Sequence, residues 1–209
     1  MAASTKSLSA SQMGVRYGVT EKTARLFMHK IREAMKPSET NPIDGDVDID
    51  EFVLGGKEKV GRSYDSKKKK TVCAVQLTEL GKVKRMYALL INDFSANSLS
   101  TIFHKHIDKS ARVRTDEWKG YRPIAKEFNI TQIPSNNGGN FKALHTMIHQ
   151  IKSWIRTTYS WVSNFNVNRY YDEFCYRINR SQSKNYIFNN LIVRMVNAEK
   201  INQHQLICH

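Results

Sequence analysis

The chain has 209 residues, 40% hydrophobic and 10% aromatic, enough apolar material for a sizeable core, which excludes a wholly disordered chain. Its 33 Lys and Arg against 19 Asp and Glu give a formal charge of +14, an excess that points to a polyanionic partner, nucleic acid being the commonest. Cys73, Cys175 and Cys208 are too few and too far apart for a disulfide framework or a zinc ribbon. With no signal-like segment and no apolar run of membrane-spanning length, the chain is expected to be soluble and cytoplasmic, with no membrane partner.

In chain order, Ser9 is a fitting cap for a helix over Ala10 to Tyr17. Gly18 breaks it, and Thr20 opens a second helix with apolar positions Ala24, Phe27, Met28, Ile31 and Met35. With Lys22, Arg25, Lys30 and Arg32, residues 1–37 have the outline of a helix-turn-helix, and equally of a helical hairpin packed on a larger domain. Pro37 and Pro42 mark a boundary. Val47 to Leu54 alternates as a strand, with Val47, Ile49, Glu51 and Val53 on one side and Asp46, Asp48, Asp50, Phe52 and Leu54 on the other. Carboxylates are depleted in strands, so this stretch is either a solvated acidic edge or a set of groups with partners elsewhere.

A polar loop with Lys57, Lys59, Arg62 and the run Lys67, Lys68, Lys69 and Lys70 follows, and suits a phosphate backbone. Strands over Thr71 to Leu77 and Val83 to Ile91 complete an antiparallel meander. Ser95 caps a helix to about His106, and Ala111 to Thr115 is a short strand. A helix from about Tyr121 to Phe128 and a strand near Ile130 to Ile133 come next. The pattern predicts an α/β fold with a mixed sheet. Asn136 to Gly139 then breaks the chain ahead of a long helix whose apolar stripe is Phe141, Leu144, Ile148, Ile151 and Ile155. His145, His149, Lys152 and Arg156 run beside that stripe. Val167, Tyr171, Phe174 and Ile178 mark another amphipathic helix, and Asn185 to Ala198 a third.

Asp50 on a strand, Asp116 just past a strand end and His145 on the long helix are able to converge, because sites in α/β layers form near strand ends. Two carboxylates and a third ligand in a basic protein point to a divalent metal site acting on phosphodiesters.

Larger motifs run through the chain in order: Asp50-Glu51, Gly55-Gly56-Lys57, Gly61-Arg62, Thr115-Asp116-x-Trp118-x-Gly120-Tyr121, Lys152-Ser153-Trp154-Ile155-Arg156, and Tyr170-x-Asp172-Glu173-Phe174-x-Tyr176-Arg177-x-Asn179-Arg180. Over about Val47 to Arg180 the chain resembles the ISXO-like group of bacterial insertion-sequence transposases, of the DDE superfamily. The resemblance implies an RNase-H-like catalytic domain over residues 43–180, between the helical residues 1–37 and a C-terminal helical tail over residues 181–209. It also implies a nucleoid-associated enzyme that cleaves double-stranded DNA at the terminal inverted repeats of its element and transfers the strand into target DNA, as a homo-oligomer when active.

By the same resemblance Asp50, Asp116 and His145 hold the metal, two Mg²⁺ or Mn²⁺ ions, with His149 the ligand selected by a register error. His145 stands where Glu or Asn is usual, and imidazole suits softer ions than Mg²⁺. Lys152, two helical turns from His145, contacts the phosphate beside the cleaved bond, and Arg156 extends the track. Relatives carry a cysteine-bearing zinc ribbon ahead of the helical segment, and no cysteine precedes Cys73, so a shortened form is expected. The alternatives are a catalytically inactive DNA-binding remnant and a host RNase-H-like nuclease.

Overall fold

A computed structural model describes residues 8–55 and 68–206. Lys67 lies outside the described residues, as do Gly56, Lys57, Gly61 and Arg62. In chain order the elements are α1 (Ala10–Tyr17), α2 (Glu21–Met35), β1 (Asp46–Leu54), β2 (Lys69–Leu77), β3 (Val83–Ile91), α3 (Ala96–His106), β4 (Arg112–Thr115), β5 (Ile130–Gln132), α4 (Lys142–Thr158), α5 (Asn164–Ile178) and α6 (Lys184–Asn197). They fall into two compact units, one of Ser38–Lys152 and one of Met1–Pro37 with Ser153–His209. Among the described residues no helix is long and apolar enough to cross a membrane.

The first unit is built on a five-stranded mixed sheet in the order β3-β2-β1-β4-β5. β1, β2 and β3 form the antiparallel meander, and β4 and β5 run parallel to β1. Helix α3 carries the chain from β3 toward β4, as a parallel connection requires. An α/β sheet of this order flanked by helices is RNase-H-like. β1 lies at its centre, so the solvated acidic edge is not what forms. Val47 and Ile49 are fully buried in a core with Val72, Ala74 and Val113 of the sheet, Leu99, Ile102 and Phe103 of α3, and Tyr121 and Phe128. Phe52, Cys73, Val75, Met86 and Ala88 are buried as well. A carboxylate in the middle of β1 therefore meets protein on either side and needs a partner.

Two local expectations change. The predicted helix between Tyr121 and Phe128 is a pair of short 3₁₀ turns, Lys119–Tyr121 and Ile124–Lys126, because Pro123 between them supplies no backbone N–H and disfavours helix in the residue before it. Strand β2 begins at Lys69, so Lys69 and Lys70 pair with Leu54 and Val53 and Lys68, Lys69 and Lys70 are half-buried where a solvated loop was expected.

In the second unit Ser9 and Thr20 cap α1 and α2 as expected, each accepting a backbone N–H three residues on. Helix α2 buries Ala24, Met28 and Met35, but Phe27 is 59% exposed. Arg32, expected on a basic surface, is 1% exposed: its Nε donates to Glu173 Oε2 at 2.8 Å, its Nη2 donates to the Tyr159 hydroxyl at 3.1 Å, and its guanidinium lies 4.1 Å from the Tyr170 ring centroid. A buried arginine in this state is a packing group, not a DNA contact. Burial and the positive charges of Arg32, Arg169 and Arg25 push the neighbouring His29 down to about 3, which keeps it neutral. Ile187 and Leu191 of α6 close a smaller core with Ala34, Met35 and Tyr176.

Candidate active site

The site grows out of the register between β1 and β4. In this parallel pair Asp46 lies opposite Arg112 and Asp48 opposite Arg114. Arg112 Nε donates to Asp46 Oδ1 at 2.7 Å. Arg114 holds the 1%-exposed Asp48 with both prongs, Nε to Oδ1 at 2.7 Å and Nη2 to Oδ2 at 2.9 Å. Two residues further along β1 stands Asp50, and two residues beyond Arg114, just past the end of β4, stands Asp116. There the pattern of acid facing base stops, and two carboxylates meet.

β4 ends at Thr115, and the loop beyond it is pinned in place. Gln132 Nε2 donates to the carbonyls of Asp116 at 3.0 Å and Trp118 at 2.9 Å, while Asp116 Oδ1 accepts the Trp118 backbone N–H at 3.0 Å. The Trp118 indole N–H donates to the Phe94 carbonyl at 3.0 Å. Gly120 leaves room for that contact: a Cβ there would lie 2.6 Å from the indole nitrogen and 2.8 Å from the Phe94 oxygen.

Asp50 and Glu51 are half-buried neighbours on β1. The Glu51 backbone N–H donates to Asp50 Oδ1 at 2.8 Å, and Glu51 Oε2 accepts from the fully buried Tyr121 hydroxyl at 2.6 Å. Asp50, Glu51 and Asp116 each offer an oxygen, and these ligand atoms all lie within 4.8 Å of one another. Like charges at that range repel by about 3 kcal/mol at an effective dielectric of ~20. Burial first, and then Asp116, push the Asp50 carboxyl up to about 7. Burial, with Asp50 and Asp116 beside it, likewise raises Glu51 to about 7, although the Tyr121 hydrogen bond pulls the other way. A divalent cation would relieve both the burial and the repulsion, so this donor set fits an oxygen-seeking ion such as Mg²⁺ or Mn²⁺.

His145 approaches from α4. Its Nε2 lies 3.3 Å from Asp50 Oδ2 and is buried without a well-aligned hydrogen bond among the described residues. Gly138, at φ +84°, lies behind the ring, where a Cβ would come within 3.0 Å of His145 Nδ1. The carboxylates and His145 open onto a cleft of about 490 Å³, whose apolar wall includes Phe52, Phe94, Trp118 and Ile148. Lys152 lines the same cleft with its Nζ 4.9 Å from the Phe52 ring centroid.

Of the residues singled out from the sequence, the structure brings Asp50, Asp116, His145 and Lys152 to one cleft, with the exposed His149 on its wall. Arg156 is exposed one turn beyond Lys152 on α4. Lys68, Lys69 and Lys70 do not line the cleft, and Lys67 is outside the described residues. Glu51 is the residue that sequence reasoning left out of the metal set; strict alternation sends it to the side of β1 away from Asp50.

The sequence model of a family described as "ISXO2-like transposase domain" matches residues 42–179. No curated protein and no solved structure matches the chain at the significance required.

Proposed function

The chain belongs to the family of ISXO2-like transposase domains, and from that premise we propose that it is an insertion-sequence transposase that cuts double-stranded DNA at the ends of its element and joins the freed 3′ hydroxyl to target DNA. The observation that carries this reading is the meeting of Asp50, Glu51 and Asp116 in one cleft with Lys152, in a protein of charge +14.

Asp50, Asp116 and His145 would hold the divalent metal. When bound, such ions make the attacking oxygen a better nucleophile and stabilise charge on the leaving oxygen. The residues of the chain supply the rest. Lys152, its ammonium over the Phe52 ring, presents a cation at the cleft for a phosphate oxygen of the strand being cut. Trp118, Phe94 and Phe52 form an apolar wall that restricts water, which strengthens every charge interaction in the cleft. Gln132 fixes the backbone that carries Asp116, so the carboxylate is oriented before substrate arrives. Arg156, Lys68, Lys69, Lys70 and Lys67 extend the charge along the DNA backbone. The exposed Lys22, Arg25 and Lys30 of α2 do the same from the N-terminal helices. Pairing two element ends calls for a homo-oligomer.

The test is Asp116→Asn in a strand-transfer assay with Mg²⁺ and with Mn²⁺. The reading predicts loss of cleavage and joining with either ion while salt-sensitive DNA binding persists. Undiminished strand transfer would overturn it.

A further inference from the structure

We propose that Glu51 is a ligand of the metal centre and Tyr121 its positioning residue, so that the cleft has an all-oxygen pole at Asp50, Glu51 and Asp116 beside an imidazole pole at His145. The inference rests on the metal-dependent reading given above and adds to it a ligand and a division of labour.

Its geometry comes from the end of β4. Among the described residues the β1–β4 pairing stops at Asp48, and the Glu51 N–H donates to Asp50 Oδ1, 2.8 Å away. Alternation puts Glu51 on the face of β1 that carries Val47 and Ile49, and its carboxylate reaches the rim of the cleft. The Tyr121 hydroxyl, buried in that core, donates to Oε2 at 2.6 Å and fixes one oxygen of the carboxylate. A carboxylate has two oxygens, so one remains for a cation.

An ion about 2.1 Å from each donor holds any two donors no more than ~4.2 Å apart. The carboxylate oxygens, within 4.8 Å of one another, need to close by only a few tenths of an ångström. The 3.3 Å between His145 Nε2 and Asp50 Oδ2 already meets the limit. Asp50 is thus shared: Oδ1 faces Glu51 and Oδ2 faces His145. Carboxylate oxygens favour hard ions, and imidazole accepts softer ones, so the two poles differ in the ion they prefer.

The experiment is a Mn²⁺ titration of the full chain, counting bound ions by electron paramagnetic resonance and identifying imidazole-bound ions by their ¹⁴N coupling. The expectation is two ions for the unaltered chain, one of them coupled to nitrogen. Glu51→Gln keeps the side-chain shape and can still accept from Tyr121. It is expected to lose the ion without nitrogen coupling and retain the other. His145→Gln should abolish the nitrogen coupling and leave the all-oxygen ion. Tyr121→Phe should weaken the all-oxygen ion by about tenfold or more without changing the nitrogen coupling, a pattern that general loosening of the fold would not produce. Glu51→Gln binding both ions as the unaltered chain does would overturn this inference and leave the proposed function standing. An unaltered chain that binds no Mn²⁺ would overturn both.

Discussion

β1 carries three alternate acids, Asp46, Asp48 and Asp50, against β4 and the loop that follows it, and the third rung differs in kind from the first two. Asp46 and Asp48 each face an arginine, at 2.7 Å in both cases. At the third rung Asp50 meets another carboxylate at Asp116, with Glu51 alongside. Burial raises both Asp48 and Asp50, but the Arg114 hydrogen bonds pull Asp48 back, whereas Asp116 pushes Asp50 further, up to about 7. What differs is the partner. A buried acid facing a guanidinium is a structural group, whereas a buried acid facing another acid at the mouth of a cleft is an incomplete site that a cation completes.

The largest effect that would sharpen this comparison belongs to Asp50→Asn. Strand transfer is expected to fall about 10³-fold or more, the scale of losing a group that binds the transition state. Metal-free stability should move the other way. The folded state raises Asp50 from 3.8 to about 7, so its stabilising contribution is fully present below about pH 4 and is lost as pH rises through 7. Asp50→Asn should therefore raise the metal-free Tm at pH 8 relative to the unaltered chain, with the gain shrinking toward pH 4. Scanning calorimetry across that range checks the sign, and a lower Tm at pH 8 would show the third rung to be structural like the others.

Asp48→Asn comes next. It removes the carboxylate held by both prongs of Arg114 and is expected to cost about 2–3 kcal/mol, read as a shift in the denaturant midpoint. Asp46→Asn is the smallest. That pair is exposed on both sides, and no measurable change in Tm is expected beyond a slight dependence on salt. A stability loss at Asp46 equal to that at Asp48 would break the ordering of the rungs.

Much of this was legible in the sequence because it depends on local rules. Ser9, Thr20 and Ser95 opened the helices where expected. Steps of four and three residues put His145, His149 and Lys152 on a common stripe of α4, and all three line the cleft. The rest depended on pairings that no local pattern encodes. The Arg32–Glu173 pair joins residues 141 positions apart, and the register of Asp48 with Arg114 is set only when β4 docks beside β1. Strand alternation put Glu51 on the face of β1 opposite Asp50. It does not say that the longer side chain brings an oxygen to within 4.8 Å of the Asp50 and Asp116 ligand atoms while Tyr121 donates to Oε2. The 3₁₀ turns around Pro123 were readable in principle, since proline disfavours helix in the residue before it.

A cation site at the third rung is checked by calorimetric titration of Mn²⁺ at pH 6.5 and pH 8.5 in buffers of different ionisation enthalpy. With Asp50 and Glu51 at about 7 without metal, binding at pH 6.5 must displace protons, and at pH 8.5 it has almost none to displace. Proton release is expected to fall toward zero between those values. Absence of binding, or binding with the same proton release at both, would show that the three acids do not form a cation site.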